Sequence, residues 1–141
     1  MFSASSYTPS SIQPETATIL LIEDSPSNSE QTKKQLTSAN YNVLTASVPE
    51  EGWQIIQKGG IQLVVSDLIF GKSSAEALAF LRRMRATPRF AHIPIIISTG
   101  MRQHEIRQKA MEAGVNHYLT KPYSPQDLIA RVRQCLEGNK A

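Results

Sequence analysis

Cysteine is nearly missing from this sequence: Cys135 stands alone among 141 residues. No internal disulfide can form, and a lone thiol is the usage of a reducing, cytoplasmic compartment. Cys135 falls within the last helical pattern, where it reads as a small core-facing hydrophobe. Long apolar runs are missing too, since no stretch approaches the ~20 residues needed to span a bilayer. Residues 1–16 are rich in Ser, Thr and Pro with no apolar centre, so they read as a flexible tail, not a secretory signal. Histidine is scarce. His92, His104 and His117 lie at no ligand spacing, which with a single cysteine argues against zinc. Nor does one sign of charge dominate. The net charge is only +3, and Lys33-Lys34, Arg82-Arg83-Arg85 and Arg131-Arg133 fall on separate helical patterns. They read as solvated helix faces, with no footprint for nucleic acid or a membrane.

What the sequence does contain is an alternation of strand-like and helix-like segments from Thr18 onward. Thr18–Glu23 is aliphatic, as expected of a strand covered on both faces. Ser25 and Pro26 then supply a cap and first position for a helix that runs to Ala39, with Asn40 at its end. Tyr41–Ala46 is a second strand, and Ser47, Pro49 and Glu50 open a helix that stops at Gly59-Gly60. Ile61–Ser66 is a third strand, Phe70–Ser74 a loop, and a third helix follows to Ala86 with Leu78, Leu81 and Met84 as its apolar stripe. Ile93–Ser98, a helix over Met101–Ala113 closed by Gly114, and a strand Val115–Leu119 come next. Ser124-Pro125-Gln126-Asp127 resembles a capping box and starts a last helix with Leu128, Val132 and Leu136 inward. Five βα units without a repeat predict one domain over residues 17–137 and a short tail at 138–141. The fold class is α/β, doubly wound, with right-handed crossovers. The interval from Asp67 to Thr99 exceeds what one βα unit needs, so the loop or helix after Asp67 should be extended.

The ends of these strands carry the chemistry. The first closes on Glu23-Asp24, the third on Asp67, the fourth on Ser98-Thr99, and the fifth leads to Thr120-Lys121-Pro122. In a parallel α/β sheet those ends share one edge, where ligands bind. Three neighbouring carboxylates repel one another, and a hard divalent cation such as Mg²⁺ resolves that repulsion. Lys121 adds a positive charge and Thr99 a hydroxyl, donors suited to the equatorial oxygens of a transferring phosphoryl group. One carboxylate must then be the nucleophile, and Asp67, on the strand expected at the centre of the edge, is the best placed. Pro122 fits a rigid turn that aims the ammonium inward.

With these residues in order, the chain resembles the receiver domain of bacterial two-component response regulators, of the chemotaxis-regulator kind. The match runs from Thr18 to Leu136 and rests on Glu23-Asp24, Asp67, Thr99-Gly100 and Lys121-Pro122. The resemblance implies a single flavodoxin-like, five-stranded parallel sheet of order 2-1-3-4-5 with helices on both faces. It implies that Asp67 accepts a phosphoryl group from a histidine kinase or phosphotransfer protein. Mg²⁺ would be held by Glu23, Asp24, Asp67 and the backbone carbonyl of Ile69, and Thr99 and Lys121 would bind the acyl phosphate. Thr99 and Tyr118 would be the switch residues, reshaping the surface of the fourth and fifth helices for a downstream protein. Such a domain is a phosphoacceptor switch, not an enzyme in the ordinary sense. No output domain follows in this sequence, so a single-domain regulator or an excised receiver is expected.

The run after Asp67 departs from the family. Leu68-Ile69-Phe70-Gly71-Lys72-Ser73-Ser74 has neither the usual Met-Pro nor Asp-Gly; Phe70 offers the volume of the Met, and Gly71 should leave the loop looser than Pro would. Ile69 and Met101 are apolar at the two positions that tune acyl-phosphate lifetime in the family, which predicts a long-lived phosphoryl state. The competing reading is a pseudo-receiver, an interaction module independent of phosphorylation. An aspartate-dependent phosphohydrolase would carry a second Asp where Ile69 stands, and a flavin carrier would lack the acidic turn at Asp24.

Overall fold

The computed structural model describes residues 16–138. Its strands are β1 (Thr18–Ile22), β2 (Asn42–Ala46), β3 (Leu63–Ser66), β4 (Ile95–Thr99) and β5 (His117–Thr120). The helices that alternate with them are α1 (Pro26–Ser38), α2 (Pro49–Gln57), α3 (Ala75–Ala86), α4 (His104–Glu112) and α5 (Pro125–Gly138). All strand pairs are parallel, in the order β2-β1-β3-β4-β5. The expected fold class and strand order hold. Among the described residues no helix is long and apolar enough to cross a membrane.

Alternation along the strands sends side chains to two apolar layers. Leu20, Ile22, Val64, Ile95 and Ile97 pack with Trp53, Phe80, Leu81 and Met84 of α2 and α3. Ile19, Leu21, Val65 and Ile96 pack with Leu36 of α1 and with Leu128, Val132 and Cys135 of α5. Cys135 is thus the core-facing thiol expected, and burial pushes its pKa up. Ser25 caps α1, its Oγ accepting from the Asn28 amide at 3.4 Å, and Asn40 ends it with φ of 73°, a left-handed residue.

Several boundaries differ from the sequence reading. α4 starts at His104, not Met101, whose backbone amide and carbonyl are bonded to Thr99 and Tyr118 instead. α2 has Val48, not Ser47, at its cap position. Ser47 is instead a donor: its amide and hydroxyl reach Glu51 Oε1 at 2.6 and 3.0 Å and lower that carboxyl's pKa, the backbone bond most. Ile61 and Ile93 are buried but precede their strands, and α5 continues through Gly138, one residue beyond the expected domain end. The expected tail at 1–16 lies, up to residue 15, outside the described residues, as do residues 139–141.

The extended interval after Asp67 has two parts: the loop to Ser74 and the segment between α3 and β4. The loop is closed by its own backbone. Phe70 and Ser73 exchange backbone hydrogen bonds of 3.0 and 3.4 Å around Gly71, whose φ of 70° a side chain would strain. Phe70 itself is buried beside α3, where it anchors the turn.

Candidate functional site

The acidic half of the site is built from two adjacent strand ends. Glu23 follows β1 and is buried, and its Oε2 accepts the Ser25 amide at 3.2 Å. Asp24 is exposed at the entrance. Asp67 follows β3, its amide donating to the Ile22 carbonyl at 3.0 Å, which ties it to β1. Asp67 Oδ1 accepts the amides of Leu68 at 2.6 Å and Ile69 at 3.3 Å. Glu23, Asp24 and Asp67 each offer a carboxylate oxygen, all within 4.8 Å of one another.

The balancing charge comes from beyond β5. Lys121 Nζ lies 3.1 Å from Glu23 Oε1 and 3.5 Å from Asp67 Oδ2. Burial alone would lower the ionisation of this ammonium, but Asp67 and Glu23 together outweigh it and hold Lys121 more firmly protonated than usual. Pro122 follows through a cis peptide bond. Glu23, Asp24, Asp67 and Lys121 are therefore brought together as the sequence implied.

Thr99 and Tyr118 meet elsewhere. Thr99 is buried at the end of β4, and its Oγ1 accepts the Met101 amide at 3.3 Å. The Tyr118 phenol donates to the Met101 carbonyl at 2.8 Å. Both backbone groups of Met101 are thus held by the two residues expected to switch, and no hydrogen bond joins either side chain to Asp67. Burial, the largest influence, raises the Tyr118 pKa, while the Arg107 guanidinium, 5.6 Å over its ring, opposes that.

The donor set suits a hard cation: three carboxylates at one edge, no sulfur, and an ammonium as the present counter-charge. Comparison with known proteins agrees with this geometry. Residues 19–133 match the family model described as the response regulator receiver domain.

The chain belongs to that receiver family.

This receiver is 30% identical over 118 residues to the DNA-binding dual master transcriptional regulator RpaA of Synechocystis sp., an alignment covering 84% of this chain and 48% of the regulator. It is 29% identical over 123 residues to hybrid signal transduction histidine kinase D of Dictyostelium discoideum, covering 87% of this chain and 8% of that protein. The chain thus spans half or less of the length of these relatives. A response regulator receiver domain from Clostridium thermocellum superposes with a TM-score of 0.79 at 29% identity, covering 88% of this chain and 97% of that one.

Two polar arrangements in this receiver escaped the sequence reading, one beside the site and one at the opposite edge of the sheet. Ser98, on the face of β4 opposite Thr99, shares a 2.6 Å hydrogen bond with the Tyr123 hydroxyl. Burial raises the Tyr123 pKa, with the Ser98 bond opposing it. A polar residue inside a buried parallel strand was the available signal. The second is Arg85, expected on a solvated face. Its guanidinium donates to the carbonyls of Gly114, Ala91 and Ile93 at 3.0, 3.1 and 2.8 Å, and to Asn116 Oδ1 at 3.0 Å. Arg85 therefore clamps the segment before β4 to the turn before β5.

Proposed function

We propose that this receiver is a phosphoacceptor switch whose nucleophile is Asp67. The observation that carries the reading is Asp67 Oδ2 lying 3.5 Å from the Lys121 ammonium inside a cluster of three carboxylates. An Asp67 carboxylate oxygen would attack the phosphorus of a phosphohistidine on a kinase or phosphotransfer protein. The P–O bond forms as the P–N bond breaks, and the imidazole leaves with the electron pair and takes up a proton. Glu23, Asp24, Asp67 and the Ile69 carbonyl would hold Mg²⁺, which when bound supplies charge neutralisation for the incoming phosphoryl oxygens. Lys121 would pair with one of those oxygens, and Thr99 would give its hydroxyl to another.

That last step is the switch. Thr99 Oγ1 now accepts the Met101 amide, and Met101 also holds the Tyr118 phenol. Drawing Thr99 toward the phosphoryl group loosens Met101 and frees Tyr118, and the change propagates into the segment before α4. The surface of α4 and α5 would then meet a downstream protein. Nothing in this reading turns over a substrate, so the domain acts as a switch and not as an enzyme. It needs no nucleic-acid contact of its own.

The reading is tested by incubating the protein with acetyl phosphate and Mg²⁺ and recording its intact mass. A gain of one phosphoryl group that Asp67→Asn abolishes is expected. No gain in the wild type would favour a phosphorylation-independent interaction module.

A further inference from the structure

Lys121 is the one ammonium among the described residues bonded to both Glu23 and Asp67, yet β5 ends at Thr120, before it. Its side chain is a flexible four-carbon stem, so the position of its backbone decides where the charge can reach. Two contacts bracket that backbone. On the amino side the Lys121 amide donates to the Thr99 carbonyl at 2.8 Å. On the carboxyl side the Tyr123 hydroxyl bonds Ser98 at 2.6 Å. Both brackets end on β4, at consecutive residues.

Tyr123 is the first side chain after Lys121 to pack into the layer under α1 and α5. Its ring could pack without a hydroxyl. The bond to Ser98 adds direction, because Ser98 is only 5% exposed and sits on a strand fixed from both sides. The Tyr123 oxygen also lies near enough to Lys121, Glu23 and Asp67 to feel their charges. We infer that Tyr123, oriented by its bond to Ser98, is a positioning residue that holds Lys121 over Glu23 and Asp67 for phosphoryl transfer. This rests on the reading of Asp67 as phosphoacceptor.

A merely structural bond would affect transfer only as far as it affects stability, and the two can be separated. Removing one hydroxyl strands the other in a buried place, whereas removing both leaves an apolar pair of similar shape and costs little. Tyr123→Phe, Ser98→Ala and the double variant are compared in the full chain by melting, by the rate of phosphorylation from acetyl phosphate with Mg²⁺, and by the nitrogen-15 resonance of Lys121 Nζ without metal. Tyr123→Phe should lose the slowly exchanging Nζ signal and slow phosphorylation about tenfold. The double variant should regain the wild-type melting point but neither the signal nor the rate. Recovery of the rate along with stability, or an unchanged Nζ signal in Tyr123→Phe, would overturn the inference. If the wild type accepts no phosphoryl group, the phosphoacceptor reading fails, and the Nζ signal still decides whether Tyr123 positions Lys121.

Discussion

Lys121 and Glu23 lie 98 positions apart in the chain and meet at 3.1 Å. The ammonium thereby occupies the carboxylate cluster from within, beside Asp67.

Lys121 and a divalent cation should therefore draw on the same oxygens. Lys121→Met leaves three carboxylates facing one another, so without metal the variant should lose about 1 kcal/mol of stability. Mg²⁺, held by the folded state in the proposed reading, should recover more stability in the variant than it adds to the wild type. Thermal melts with and without Mg²⁺ measure this. Equal Mg²⁺-dependent shifts in the two proteins would contradict it.

Arg85 is held by three carbonyls and Asn116, and the same Asn116 Oδ1 accepts the Ile95 amide at 2.8 Å. Arg85→Ala leaves these acceptors short of a donor and should cost about 2–3 kcal/mol, measured by urea unfolding. Arg85→Lys should recover only part, since an ammonium cannot reproduce the planar fork. Gly114→Ala should also destabilise, because its Cβ would lie 2.8 Å from Arg85 Nε at a φ of +100°.

How much of this was legible follows from where each residue's partners lie. Buried parallel strands read as apolar runs, so Glu23, Asp24, Asp67 and Thr99 announced themselves as polar residues at their ends. Ser25 and Asn40 were readable because a cap depends on its own few neighbours. Arg85 was not, since its acceptors belong to segments that only the fold assembles. Ser98 and Tyr123 failed for the same reason, being 25 positions apart. The start of α4 was missed because Tyr118, from the next strand, holds Met101 out of the helix.

Burial, the larger influence, and the charge of Arg131 both pull the His117 imidazole below its ordinary value of 6.5. Well above 6.5 both the folded and unfolded forms are uncharged there. Below 6.5 the unfolded chain takes up a proton that the folded chain resists, so stability falls with pH until the folded imidazole also titrates. His117→Gln should flatten that part of the profile, as read from urea midpoints between about pH 7.5 and about pH 5.5.

Ile69 and Met101 are partly buried and apolar, and they flank Asp67 and Thr99. They should hinder water from reaching an acyl phosphate at Asp67. Replacing Ile69 with Asn offers a polar group that can orient water and should shorten the phosphoryl half-life by about tenfold. Loss of phosphoryl mass over time measures it, and an unchanged half-life would remove Ile69 from the account.

The central claim is that one particular carboxylate becomes an acyl phosphate. After treatment with acetyl phosphate and Mg²⁺, reduction with borohydride converts an aspartyl phosphate to homoserine, and peptide mass mapping finds the position. Homoserine at position 67 is predicted. Homoserine at another aspartate, or none in a protein that remains folded, would contradict it.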